Sequence, residues 1–597
     1  MDGEKRNILE EITLWYLAVL TALLPVKFGS LLGVPQAPVL IPEDAFTAAL
    51  ITWPASWFPI ASGCGMILAF AAFIRKVRLK EPPFIFLLCT MALGAVSLLG
   101  LIRASCREYG IIECTYLLGL SAYAGSIYLA FACSRQAGKR LLGGLLTGFV
   151  ITVYLGLAQI LWEFDQQAAY IAEQEAAGVE IRFDLKARML DRRVFAGFAL
   201  CNTLAGYLVA VFPLLLAVLW QFLRQKKASI LFAVGGLAIA CIAFFPVYVG
   251  TGSRAGFLTA LIGMAIFVIF FTRHKWLRFT VLAGAVLIIA VGGWYTVTQG
   301  RGTASMEVRA DYIARASEMM LANPLCGTGW GDFFHDYTKI KKIDSAEAPH
   351  TPHNFLLALG SQCGFPGFLI ALAVMLYPLI IGAQYIWTAR RKRRGFPLRI
   401  GAAWLGLTAF YLHAMLDAHL QVPGAMATAF FLGFYLLAET HVRRIRTMPG
   451  VVIWSVRLIL LLFAAWAIYW GMILWRGDVS YAALTEVCQS GQSNAVENAL
   501  HQAIADKPWS PFPYLAAGDY YMARNRLVLA KDNFTEALTL SPERAATYQR
   551  LAQIAQRRGD MDTALKMIDR AIELFPKHKG YRELRTELEQ EKKTAVK

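Results

Sequence analysis

Thirteen apolar runs, each about the length needed to cross a bilayer, dominate the chain and leave it little choice of fold. They lie near residues 12–33, 55–74, 83–103, 112–133, 141–162, 196–222, 228–249, 255–272, 279–297, 354–386, 400–416, 424–439 and 451–474. In lipid every backbone N–H and C=O must be bonded within the protein, so runs of this length become helices. The expectation is an all-α, polytopic membrane bundle. Composition agrees: 57% of residues are hydrophobic, 17% are charged and the mean hydropathy is +0.48, which excludes an ordinary soluble enzyme. The first run is too long for a signal-peptide core and has no small-residue cleavage site, so it reads as a retained anchor.

Basic clusters orient the runs. Arg75 to Lys80 follows the second; Arg135, Lys139 and Arg140 follow the fourth; Arg224, Lys226 and Lys227 follow the sixth. Arg273, Lys275 and Arg278 follow the eighth, Arg390 to Arg394 the tenth, and Arg443, Arg444 and Arg446 the twelfth. Every second loop is basic, which assigns those loops and the amino terminus to the cytoplasm and the carboxyl terminus to the outside. The net charge of +17 then serves topology. No basic patch with interleaved aromatics points to nucleic acid.

Two outer loops break the charge trend. The turn Thr251-Gly252-Ser253-Arg254 keeps an arginine at the outer membrane face, and the loop 298–353 carries Arg301, Arg309 and Arg315. Topology does not demand cations there. Arg254 and Arg309 read as contacts for an anionic ligand. Arg301 and Arg315 read as solvated charges paired with Glu307, Asp311 or Glu318, with Arg315 kept as a substrate-binding candidate. In the same loop Val308, Tyr312, Ala316 and Met319 mark one side of an amphipathic helix, which either lies on the bilayer surface, where it would lay Arg309 over a lipid diphosphate, or packs as an ordinary loop helix.

After Trp475 the sequence turns soluble and helical. Ala503, Ala537 and Ala571 recur every 34 residues, as do Pro508, Pro542 and Pro576; Tyr514 aligns with Tyr548 and Ala530 with Ala564. That period, with small residues where paired helices touch, is a tetratricopeptide array, an α-solenoid. Repeats fall at 476–509, 510–543 and 544–577, with a polar capping helix at 578–592. Residues 1–475 thus form the membrane domain and 476–597 the repeat domain, a surface for a protein partner.

The remaining polar groups gather at the outer face. His350-Thr351-Pro352-His353-Asn354 opens a span; His413 and Asp417 lie one helical turn apart near the outer end of another; Asn202 lies in a third. Ionisable groups at this depth are costly, so function is their default reading. His350 and His353 have no acidic or Cys partners nearby, and none of the ten cysteines forms a CxxC, so no metal or other cofactor is expected. Cys106 and Cys114 flank a short outer loop, as a disulfide or as two thiols. An imidazole can take a proton from a hydroxyl at neutral pH, and arginine forks suit phosphate oxygens. Together they suit group transfer from a lipid diphosphate.

His353-Asn354, nine residues, then Gly364-Phe365-Pro366-Gly367 resembles the signature of the O-antigen ligase family. Ser253-Arg254-Ala255-Gly256 resembles that family's Ser-Arg-x-Gly element, and Arg309 ahead of Asn323-Pro324-Leu325-Cys326-Gly327-Thr328-Gly329 resembles a third. Asn202, after Arg193 and Gly197, fits a weaker upstream pattern. The resemblance spans roughly residues 10–475. It implies a large helical, GT-C-like glycosyltransferase fold in the bacterial inner membrane, with site and repeats periplasmic. It also implies metal-independent, inverting transfer of a glycan from undecaprenyl diphosphate. His353 would activate the acceptor hydroxyl and Arg254 and Arg309 would hold the diphosphate; Asn354, Asn202, Arg315, His350, His413 and Asp417 are substrate-binding candidates. The acceptor, a lipid A-core or other glycolipid, stays open against a protein hydroxyl or a growing glycan, because the repeat array is absent from the plainest O-antigen ligases. A lipid-linked sugar transporter is the reading from another class; it would show two similar halves, which this chain lacks.

Overall fold

The computed structural model describes residues 8–595 apart from 33–40, 43, 74–80, 179–185, 187–189, 273, 299–302, 332, 344–347, 393–394, 441–449 and 491–492. The clusters Arg75 to Lys80, Arg273, Arg393 and Arg394, and Arg443 to Arg446, together with Arg301, lie outside the described residues.

Each of the thirteen apolar runs is a helix. They are Ile8–Lys27, Trp57–Phe73, Glu81–Arg103, Arg107–Cys133, Ala137–Ala158, Cys201–Gln225, Ile230–Gly250, Arg254–Phe271, Lys275–Thr298, Phe355–Arg391, Leu398–Ala414, Pro423–Glu439 and Gly450–Ser490. Nine of the described helices are long and apolar enough to cross a membrane, and Trp57–Phe73 and Pro423–Glu439 are shorter apolar helices. The protein is an all-α multi-pass membrane bundle followed by a helical repeat array.

Arg107–Cys133 and Pro423–Glu439 run through the middle of the bundle, buried along nearly their whole length. Ile230–Gly250 lies at the edge, where Leu231 is 83% and Ile242 71% exposed, as lipid-facing side chains are. Small residues bring helices into backbone contact. Gly144 and Gly148, one turn apart, sit against the carbonyls of Ala18 and Ala22, where a Cβ would come within 2.2 and 2.4 Å.

The first helix ends at Lys27, short of the expected 33. The Lys27 ammonium donates to the carbonyls of Ala49 and Ile51 at 2.6 and 2.8 Å, and Gly29 then pairs with Phe198. These tertiary bonds take over the backbone before the apolar run is finished. The fifth helix runs past its expected end through a π-helical turn, Gln159–Glu163, into Phe164–Ala176. Cys106 and Cys114 are both thiols, with Cys114 accepting a hydrogen bond from Ser97 at 3.3 Å. Cys106 caps the helix that contains Cys114, and eight residues of rise, about 12 Å, is far beyond disulfide reach.

The Gly450–Ser490 helix continues unbroken from the last span into the first repeat helix. The later repeat helices are Ser493–Asp506, Phe512–Ala523, Leu527–Leu540, Ala545–Arg557 and Met561–Leu574, closed by Lys579–Ala595. The array packs onto one end of the bundle. The Lys507 ammonium, buried at the seam, meets Asp478 at 2.7 Å and Glu108 at 3.3 Å. Lys339 meets Glu543 at 2.7 Å, Thr338 donates to the Leu574 carbonyl at 3.1 Å, and Phe512 packs on Cys106 and Tyr109. The long loop ahead of His353 is thereby clamped between span ends and repeats.

Candidate functional site

Two glycine turns fold the long loop back onto the helix that His353 precedes. Gly364 interrupts Phe355–Arg391 with φ 71° and ψ −166°, a conformation open essentially to glycine alone. The kink lets Phe365 N–H donate to the Pro324 carbonyl at 2.7 Å. In return Thr328 and Gly329 donate to the carbonyls of Ser361 and Gln362 at 2.9 and 3.2 Å, and the Gln362 side chain accepts from Gly331 at 2.8 Å. A Cβ on Gly327 would lie 2.3 Å from the Gln362 carbonyl carbon. The two glycine motifs are one backbone-to-backbone joint.

That joint seats Thr303–Ala322 against the bundle end. Tyr312, Ala316 and Met319 are buried against Phe333, Tyr337 and Leu357. The apolar stripe therefore covers protein: of the two readings, the packed loop helix holds and the helix laid on the bilayer does not. Packing with the loop's own second helix, Phe333–Ile340, satisfies the stripe locally.

His353 sits just before the cap of its helix with φ 52°, a left-handed conformation unusual for a histidine. Asn354 caps the helix: its side-chain carbonyl accepts from Leu357 at 3.0 Å and its amide donates to the Met415 carbonyl at 3.0 Å. Asn354 thus ties the start of this helix to the turn that carries Asp417. His353 Nδ1 faces Asp417 Oδ1 at 3.5 Å, and its ring stacks on Tyr312 with centroids 5.8 Å apart. Asp417 is 2% exposed, and its other oxygen stands 4.0 Å from the Arg309 guanidinium. Burial alone would raise Asp417; its contact with His353 and the fields of His419 and His413 outweigh burial and hold it well below the carboxylate range.

The other candidates fall into three groups. His413 lies fully buried beneath Asp417, edge-on to His419 at 4.6 Å, with both rings against Gly206. Arg254 is exposed as the first residue of Arg254–Phe271, behind a Ser253 cap that accepts from Gly256 at 3.1 Å. Asn202 accepts from Arg193 at 3.2 Å, and Arg193 also donates to the Thr251 carbonyl at 2.9 Å, which joins the Asn202 helix to the turn of Arg254. Two candidates stand apart. Arg315 is buried between Asp311, at 3.4 Å, and Glu318. His350 is sandwiched between Phe334 and Tyr109 at the repeat seam, where burial and the charge of Arg544 push it down to about 4.

Sequence reasoning passed over His419 and gave Arg193 no role of its own. His419 lies two residues beyond Asp417 in a short polar turn, a signal that was there to read. The reach of Arg193 to Thr251 follows only from the fold.

The arrangement offers an imidazole backed by a buried carboxylate, with the Arg309 guanidinium beside that carboxylate, at one end of a membrane bundle. Residues 240–372, which hold Arg254, Arg309, His353 and both glycine turns, match the family model described as O-antigen ligase. Residues 521–588 match the tetratricopeptide repeat model. No curated protein matches the chain. The chain thus carries a segment similar to the O-antigen ligase family within its membrane bundle and a tetratricopeptide repeat match near its C-terminal end.

Proposed function

We propose that the chain is a glycosyltransferase that moves a glycan from undecaprenyl diphosphate to an acceptor hydroxyl at the periplasmic face of the inner membrane, the acceptor being a surface glycolipid. The observation that carries the reading is the convergence of His353, Asp417 and Arg309 within 4.0 Å. With Nδ1 turned toward Asp417, Nε2 is the nitrogen left for the acceptor. It takes the hydroxyl proton while the acceptor oxygen forms its bond to the anomeric carbon. The bond from that carbon to the diphosphate breaks, and its electron pair leaves with the diphosphate. Single displacement inverts the anomeric centre. Asp417 steadies the imidazolium that forms, and Arg309 and Arg254 take up the developing diphosphate charge.

Arg254 supports this role through its position. The start of a helix favours anions and disfavours a cation, and topology asks for none on this face, so its placement fits an anion site made of guanidinium plus helix N-terminus. A protein acceptor is the second reading. It draws on the repeat array, which is fixed against the loop that leads into His353.

The test uses the full chain in liposomes with a synthetic undecaprenyl diphosphate-linked glycan, EDTA, and a panel of glycolipid, glycan and protein acceptors. Release of undecaprenyl diphosphate coupled to a glycosylated acceptor is expected. Donor crossing the bilayer with no acceptor modified would replace the reading by transport.

A further inference from the structure

A strap of chain, residues 192–199, is stitched into the bundle with more bonds than its length requires. Val194 N–H donates to the Gly250 carbonyl and Ala199 N–H to the Gly29 carbonyl, both at 2.9 Å. Arg192 and Ala196, on either side of Arg193, adopt left-handed φ of 49° and 47°. Neither residue type is at ease there, and each such conformation costs on the order of 1–3 kcal/mol unless its surroundings impose it. The imposing group is Gln159. Its side-chain oxygen accepts from two successive backbone N–H groups, Phe195 at 3.0 Å and Ala196 at 2.9 Å. Gln159 opens the π-helical turn Gln159–Glu163, the one break in an otherwise regular helical run from Ala137 to Ala176. Such a turn inserts a residue and re-aims side chains, and these turns gather at functional sites. The Asp165 carboxylate beyond it holds Arg192 at 2.7 Å, so the strap is gripped on both sides of Arg193 by one helix.

What the grip sets is the direction of Arg193. Its guanidinium donates to Thr251 and Asn202, next to the turn of Arg254. We propose that Gln159 is a positioning residue. Through the strained strap it fixes Arg193 as a further guanidinium of the donor-diphosphate site, touching no substrate itself. This rests on the transfer reading above.

The test is a double-mutant cycle in the reconstituted full chain. Gln159→Leu keeps the bulk and loses the acceptor, and Arg193→Ala removes the guanidinium. A misplaced contact of this kind costs roughly 10- to 100-fold in kcat/KM for the lipid-linked donor. The expected result is such a loss for Gln159→Leu, an equal or larger loss for Arg193→Ala, and no further loss when the two are combined. Gln159→Glu, whose carboxylate can still accept from both N–H groups, recovers most of the rate, and KM for the acceptor does not move. If Gln159→Leu is not recovered folded, Gln159→Asn, one methylene short of the strap, takes its place with the same expectation. Full activity of the Gln159 variant beside an impaired Arg193→Ala overturns the positioning role alone. Losses that add in the double variant overturn it as well. Full activity of Arg193→Ala overturns the donor-site reading of this guanidinium and the positioning role with it.

Discussion

Two ionic clusters differ in how their charges are used, one at the repeat seam and one in the candidate site. At the seam, Lys507 is 6% exposed and closed on both sides, by Asp478 at 2.7 Å and Glu108 at 3.3 Å. In the candidate site, Asp417 is as deeply buried, yet His353 and Arg309 stand off from it at 3.5 and 4.0 Å and remain 28% and 34% exposed. The first cluster spends its charges on each other. The second leaves a base and a guanidinium facing open space beside a strained backbone. Charges closed on one another hold structures together, whereas charges held apart on a rigid frame are what a substrate needs.

The largest expected effect should fall on stability and come from the seam. Lys507→Ala leaves the buried Glu108 and the half-buried Asp478 without their cation and should cost about 3–5 kcal/mol. Transfer per folded molecule should change less than about threefold, read from denaturation midpoints beside initial rates. The opposite pattern should come from Arg254→Ala and Arg309→Ala. Each should lose about 10²–10³-fold in kcat at unchanged midpoint, as removal of one charge-stabilising donor does. Asp417→Asn keeps the shape beneath His353 and removes the charge; a loss on the order of 10²-fold is expected, with donor KM nearly unchanged. Should that variant instead unfold the protein, Asp417 would belong with the seam.

Smaller effects separate the two candidates that lie apart from the cluster. Arg315→Met takes the cation from a buried Asp311, which keeps the Tyr337 hydroxyl; about 1–3 kcal/mol of stability should go, with little change in rate. A further effect is on pH. Burial, with Arg544 behind it, pushes His335 down to about 3 and His350 to about 4, against ~6.5 when undocked. Lys339 adds to the depression at His335, and the Glu543 backbone opposes it. The docked loop therefore binds fewer protons than the undocked one. Its stability is fully present above ~6.5 and falls as pH drops from there toward 4. Midpoints measured between pH 7.5 and 5 should decline, and less steeply in His350→Phe.

The helices were legible because lipid leaves the backbone one solution, and an apolar run announces it. Their ends were less so. Lys27 stops the first helix through carbonyls of a later segment, and the fifth helix runs on through Gln159 because the strap rewards it. The candidate residues were legible as chemistry out of place: a histidine at a span mouth, arginines in loops that the charge pattern reads as outer. Their partnerships were not, because His353 meets Asp417 across several helices and its left-handed φ leaves no mark in the sequence. His350, three residues earlier, reads like a twin yet packs into the repeat seam. The glycine motifs were visible as separate turns, and only the fold makes them one joint.

The central claim is that His353 is the base. The measurement is transfer by His353→Ala in liposomes, with undecaprenyl diphosphate release and acceptor glycosylation followed together and the unfolding midpoint as control. The account predicts a wild-type midpoint with both products lost by about 10³-fold or more. A folded His353→Ala protein that still couples release to transfer would contradict it.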